Sequence, residues 1–260
     1  MRLTFGFILA IFVGLSLGLI GGGGSILAVP ILKYVIGVST KEAIAMSLFI
    51  VGIVSIIGLI PHWRQGNVNF SIALIFIPPA MIGSFLGAKI SDLPFINDTI
   101  QLVSFGIIML LASVLMIKKS NSKSLKVTDN LGKHKLVNNK KNTQILFTII
   151  EGFGVGILTG FVGVGGGFLI IPALVLVGGI PMKEAVGTSL IIIAFNSVSG
   201  FSGYLNQVEL NWLIMIIFSI ASSAGIIIGG LLAKKIDPQY LQKGFGYFVL
   251  TVAVFVLIVR

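Results

Sequence analysis

Four consecutive glycines, Gly21, Gly22, Gly23 and Gly24, followed by Ser25, interrupt an apolar stretch near the start of the sequence. Gly163, Gly165, Gly166 and Gly167 interrupt a second apolar stretch, and the two runs align at an offset of 142 residues. Glycine is the poorest helix former after proline, so each run should end one helix and begin another. The first N–H groups of the following half-helix then have no intrahelical partners. Such an end carries about half a positive charge and binds anions without any Lys or Arg. The chemistry these residues support is noncovalent capture of a small anion by backbone. Ser47, Thr188 and Ser189 fall about a turn and a half into the next helix, and Asn196 adds an amide in the second copy only. A hydroxyl can donate one hydrogen bond to an oxyanion. The competing reading of glycine in an apolar helix is close packing, and of Ser or Asn a bond to a neighbouring helix. Adjacent glycines, repeated, favour the break.

Covalent chemistry finds little support. His62 and His134 both fall in loops, Cys is absent, and no HExxH motif, nucleophile with partners or carboxylate pair is visible. The run Gly163-Val164-Gly165-Gly166-Gly167 imitates a dinucleotide fingerprint but lacks its βαβ context. No enzyme activity, cofactor, metal or nucleic-acid partner is expected. Glu42 and Glu184 stand where first-turn carboxylates suit the helix dipole. Glu151, whose counterpart is Leu9, is a carboxylate within an apolar segment and a functional candidate on that ground.

The elements that hold these residues read as membrane helices. Of 260 residues 56% are hydrophobic and 10% charged, and the mean hydropathy is +1.09. A soluble domain needs no such apolar excess. Residues 18–48 recur as 160–190 without a gap, with Gly18/Gly160, Pro30/Pro172, Lys41/Lys183, Glu42/Glu184 and Ser47/Ser189 among the identical pairs. The register continues through Ser55/Ser197, Asn69/Asn211, Gly83/Gly225 and Gly87/Gly229. The chain is a duplicated half: residues 1–117 form a first membrane repeat and 144–260 a second. Apolar blocks cover 5–36, 42–61, 70–90 and 99–117, then 145–177, 184–203, 210–233 and 241–259. Residues 118–143 hold eight of the eighteen Lys and Arg and read as a basic cytoplasmic linker.

Each glycine-broken block is too long for one ordinary crossing. About 32 helical residues would measure ~48 Å against a hydrocarbon core of ~30 Å. Such a block is either a long tilted helix or a re-entrant hairpin. If every block crosses once, the halves are parallel and the linker side holds eleven of the eighteen basic residues. If the broken blocks are hairpins, the halves are inverted and the linker side holds thirteen, including Arg64, Lys183, Lys234, Lys235 and Lys243. The positive-inside rule favours the second arrangement. The expected fold is therefore an all-α polytopic membrane protein. Its two homologous halves are inverted repeats, each a glycine-broken re-entrant helix pair plus three transmembrane helices. Broken helices at matching places in two halves point to a transport site.

The segments GLIGGGGSILAVPIL and GFVGVGGGFLIIPALVL, the latter followed by KEAVGTSL, resemble the sulfite exporter TauE/SafE family. The resemblance covers essentially all of the chain except the linker, which is unusually long and lysine-rich. It implies a multi-pass permease of the cell (inner) membrane for small sulfur-containing anions, such as sulfite or organosulfonates. The expected partners are a small anionic substrate and the lipid bilayer, with a coupling proton or cation left open. The expected function is a secondary transporter holding an oxyanion at glycine-broken half-helix N-termini near the midplane. A passive anion channel could use the same breaks. A membrane scaffold, the third reading, would show no flux.

Overall fold

The computed structural model describes residues 2–94, 96–122, 138–162, 166–176, 178–205 and 207–259. Among them every regular element is helical. The first half holds α1 (Arg2–Ile20), α2 (Gly23–Pro30) extended by a π-helical turn (Ile31–Ile36), α3 (Thr40–Arg64), α4 (Phe70–Ile90) and α5 (Asp98–Ser122). The second holds α6 (Asn138–Val162), α7 (Gly167–Leu176), α8 (Met182–Tyr204), α9 (Trp212–Ala233) and α10 (Pro238–Val259). Each glycine run separates two helices, as its helix-breaking character demands. Helix α5 continues through Ser122 and α6 begins at Asn138, so both ends of the 118–143 segment are helical; residues 123–137 lie outside the described residues.

The helix starts follow capping chemistry. Ser39 accepts from the Glu42 N–H ahead of α3. Asn69 and Asn211, a repeat pair, accept from the N–H groups of Ile72 and Ile214 ahead of α4 and α9. Glu42 and Glu184 occupy first turns. Pro30 ends α2, and the ring that removes an N–H from the ladder is followed at once by the wider π turn.

Among the described residues six helices are long and apolar enough to cross a membrane: α3, α4, α8 and α9 over their whole lengths, α5 over Thr99–Lys118 and α6 over Ile145–Val162. Large apolar side chains such as Phe12, Leu74, Leu111, Leu213 and Ile220 point outward, while Ser25, Ser47, Ser189, Asn196 and Ser197 are buried. That inside-out distribution suits a lipid solvent, in which polar groups need protein partners.

Packing joins the halves by exchange. Helix α1 packs along α9, and its repeat counterpart α6 packs along α4. Gly14 and Gly18 lie on the backbone of Ser222 and Ile226, and Gly225 and Gly229 on that of Ile11 and Leu15. Shifted by the repeat offset, the same contacts recur: Gly156 on Ala80, Gly160 on Ser84, Gly83 on Phe153 and Gly87 on Ile157. Eight missing side chains thus let four helices approach as two backbone-to-backbone seams. Helix α3 packs on its own counterpart α8, with Leu48 at Gly200, Gly52 at Ser197 and Gly58 near Leu190, so these two run antiparallel. Helices α5 and α10 are antiparallel as well, with Gly106 at Leu257 and Gly246 at Ile117. The broken block folds back on itself: Gly24 packs against Val13 and Leu17, and Ile36 returns to Gly6 near the start of α1.

One end of the bundle therefore gathers the end of α3, the start of α8 and the end of α9, with the end of α5, where the basic segment begins, beside the start of α10. Pro61 does not break α3, which runs on to Arg64. His62, expected in a loop, is instead a buried helix residue, 4% exposed. His134 lies outside the described residues.

Candidate functional site

The two glycine breaks meet. Gly21 has φ +76° and Gly166 φ +86°, left-handed values that glycine adopts without a Cβ penalty. These turns close α1 against α2 and α6 against α7. A Cβ on Gly22 would run into the backbone of Gly167, and a Cβ on Gly167 would lie 2.5 Å from the Gly22 Cα. The breaks therefore touch backbone to backbone, a contact that any larger residue forbids. Gly163 and Gly165 lie outside the described residues.

Gly22 is the N-cap of α2 and supplies no side-chain acceptor to the helix that Gly23 begins. Ser25 does not fill that role, because its hydroxyl donates to the Gly22 carbonyl at 2.7 Å. The leading N–H groups of α2 thus have no side-chain cap, and the positive end of the helix dipole is directed at the break. Gly24 packs on α1 and does not face the opposing break.

Ser189 reaches the first break from α8. Its hydroxyl donates to the Val186 carbonyl at 2.8 Å and to the Gly21 carbonyl at 3.2 Å, and Val186 also packs against Gly21. Ser47, its counterpart on α3, is buried and donates to the Ile44 carbonyl at 2.8 Å. Thr188 points elsewhere: its Oγ1 accepts from the Asn69 N–H at 2.9 Å, tying α8 to the α3–α4 loop. Glu184 joins that tie by accepting from Asn69 Nδ2 at 2.7 Å.

Asn196 serves the second break. Its Nδ2 donates to Thr159 Oγ1 at 2.7 Å, and Thr159 packs against Gly166. The Asn196 Oδ1 is buried without a partner. Thr159 was not among the residues expected at the site. Its signal was available as a difference between copies: Thr159 replaces Leu17, just as Asn196 replaces Val54, and the two polar replacements bond to each other. Ser55 and Ser197 are also buried with unpartnered hydroxyls, on the facing helices α3 and α8. Glu151 lies in α6 about three turns before the break. Among the described residues no cluster of His, Asp or Glu could hold a metal ion.

The arrangement offers backbone dipoles, hydroxyls and one amide around a buried meeting of two breaks. It suits noncovalent binding of a small polar or anionic species, and among the described residues it offers no nucleophile with an adjacent base.

The chain matches the family model described as Sulfite exporter TauE/SafE over residues 6–256. It is 33% identical over 252 residues to a Xylella fastidiosa (strain Temecula1) protein named "Probable membrane transporter protein", covering 94% of this chain and 91% of that one. The Bacillus subtilis "Probable membrane transporter protein YunE" is 28% identical over 257 residues, covering 91% of this chain and 90% of that one. No solved structure matches. With six apolar helices among the described residues and this match across nearly its whole length, the chain is a multi-pass protein of the cell membrane and belongs to the sulfite exporter TauE/SafE family of membrane transporters.

Proposed function

We propose that the protein is a secondary transporter of a small sulfur-containing oxyanion of the sulfite or organosulfonate class. The anion is held where the breaks face each other, by N–H groups at the starts of α2 and α7 and by hydroxyls of Ser47 and Ser189. Gly21 to Ser25, Gly163, Gly165, Gly166, Gly167 and Asn196 shape that position. The observation carrying this reading is the backbone contact of Gly22 with Gly167, which brings together two uncharged features suited to an anion. The Ser189 hydroxyl, shared between the Val186 carbonyl at 2.8 Å and the Gly21 carbonyl at 3.2 Å, can turn toward an anion by rotation about its Cβ–Oγ bond.

The halves are inverted repeats in this reading, residues 1–117 and 144–260, joined by a cytoplasmic linker at 118–143. The antiparallel packing of α3 on α8 and of α5 on α10 supports inversion, because a two-fold axis lying in the membrane plane reverses equivalent helices. The return of Ile36 to Gly6 supports a re-entrant hairpin. Isothermal titration of purified protein tests the site. Sulfite or ethanesulfonate should bind at millimolar concentration or below, and a neutral sulfone of similar size should not. Equal binding of the neutral compound would reject an anion site.

A further inference from the structure

A cavity of about 230 Å³ opens at the end of the bundle where α3 ends and α8 begins, lined by His62, Gln65, Asn67, Lys183, Val186 and Lys234 among others. Two lysines face it, and among the described residues no carboxylate lines it. Glu184, beside Lys183, is turned away toward Asn69. His62 is nine-tenths buried, yet neither ring nitrogen has a hydrogen-bond partner. The Gly18 carbonyl lies toward it without the geometry of a hydrogen bond, and Lys234 is close enough to act on it electrostatically. Buried polar groups are ordinarily satisfied by protein, water or ligand.

The repeat supplies an internal comparison. At the positions equivalent to His62, Gln65, Lys183 and Lys234 stand Tyr204, Gln207, Lys41 and Asp92. There the side chains are hydrogen-bonded and the lysine is ion-paired. The fully buried Tyr204 donates its hydroxyl to the Gly160 carbonyl at 3.1 Å. Gln207 Nε2 donates to Ala88 and Gly203 carbonyls at 3.2 and 2.8 Å, and Lys41 pairs with Asp92 at 3.4 Å. Gly160 is the counterpart of Gly18, so the bond made at one end is the one left open at the other. At one end of the pseudo-symmetric molecule these positions are bonded and ion-paired; at the other they line an open cavity with two lysines.

Val186 lines the cavity and also packs on Gly21. The cavity therefore abuts the first glycine break through a single side chain. We infer that this cavity is a second anion site, a vestibule in which Lys183, Lys234 and the His62 ring hold a small oxyanion before it passes Val186 to the break. The volume accommodates such an ion with a few waters at about 30 Å³ each. The vestibule deepens the transport reading and rests on it for its role, though not for its chemistry. A phosphate of an anionic lipid headgroup presents the same chemistry, and the test separates the two.

The chain has no Cys, so Gln65→Cys places a single reporter thiol in the cavity. In delipidated detergent solution, anionic iodoacetate should alkylate that thiol faster relative to neutral iodoacetamide than it alkylates a free thiol in the same buffer. Adding Lys234→Gln should lower this ratio about three- to tenfold, the effect of one charge a few ångströms away at intermediate dielectric. Millimolar ethanesulfonate should slow both reagents, and phosphatidylglycerol in mixed micelles should not. Lys234 is exposed, so the substitution should leave the thermal unfolding midpoint unchanged. A ratio indifferent to Lys234 together with no protection by ethanesulfonate would overturn the vestibule. Protection by phosphatidylglycerol alone would overturn the free-ion occupant. Sulfite flux of the unmodified chain separates the two ideas. Protection without flux upholds the anion site and contradicts transport; flux without protection contradicts the vestibule alone.

Discussion

Single hydroxyls carry the most exposed part of the account. Ser189 bridges its own helix and the Gly21 carbonyl, and Ser47 occupies the equivalent place on α3. A hydrogen bond to a charged group contributes roughly 1.5–3 kcal/mol, so losing one should weaken binding by about 10- to 150-fold. Ser189→Ala and Ser47→Ala remove little volume, and the helices should still pack. Titration of each variant with sulfite should give a dissociation constant raised within that range. Values within twofold of the unmodified chain would make the hydroxyls interhelical bonds and leave the site to backbone alone. At this scale the sequence was informative where the copies agree and misleading where one residue must be assigned a direction. Gly21, Gly22, Gly166, Gly167 and Ser189 come together. Thr188 sits beside Ser189 in sequence but, one position round the helix, faces the Asn69 loop. His62 follows a proline and was expected outside the helix; in an apolar setting the turn is kept, and the ring is carried into the interior.

Among the elements, the two glycine seams decide whether α1 and α6 sit correctly against α9 and α4. A Cβ at Gly14 would press on the Ser222 carbonyl, and one at Gly156 on the Ala80 carbonyl. Overpacking of a close contact typically costs about 1–3 kcal/mol. Gly14→Ala and Gly156→Ala should each lower the thermal unfolding midpoint of the purified protein. Gly154→Ala, on the same helix as Gly156 but with open space around its Cβ, should leave the midpoint unchanged or raise it. Equal losses at all three would mean that the seams are not specific. The helices themselves were legible: the expected blocks 70–90 and 210–233 nearly coincide with α4 and α9, because apolar runs between polar turns mark membrane spans directly. The seam glycines were visible as repeat pairs but not as contacts. Nothing in one helix's sequence tells which other helix it will meet, and the exchange of α1 onto α9 is a property of the assembled pair. The ends of the 118–143 segment were harder still, since polar helix extends from α5 and α6 without any apolar periodicity to announce it.

For the whole molecule, the antiparallel pairing of equivalent helices and the gathering of Arg64, Lys183, Lys234 and Lys235 at the linker end point the same way. That end should face the cytoplasm, and both termini should lie outside. Reporter fusions within residues 123–137 and after Arg260 check this. A cytoplasmic carboxyl terminus would remove the inverted arrangement and restore parallel halves. An open cavity at one end, and the bonded Tyr204 with its Lys41–Asp92 pair at the other, fit one state of a carrier with alternating access better than a continuous pore. Proteoliposomes preloaded with unlabelled sulfite and diluted into a trace of labelled sulfite give the most direct measurement. A carrier accumulates label transiently above its equilibrium level as unlabelled sulfite exchanges outward, and that overshoot is expected here, absent from protein-free vesicles. Label that only equilibrates would mark a passive channel, and label that does not enter at all would contradict transport of this anion.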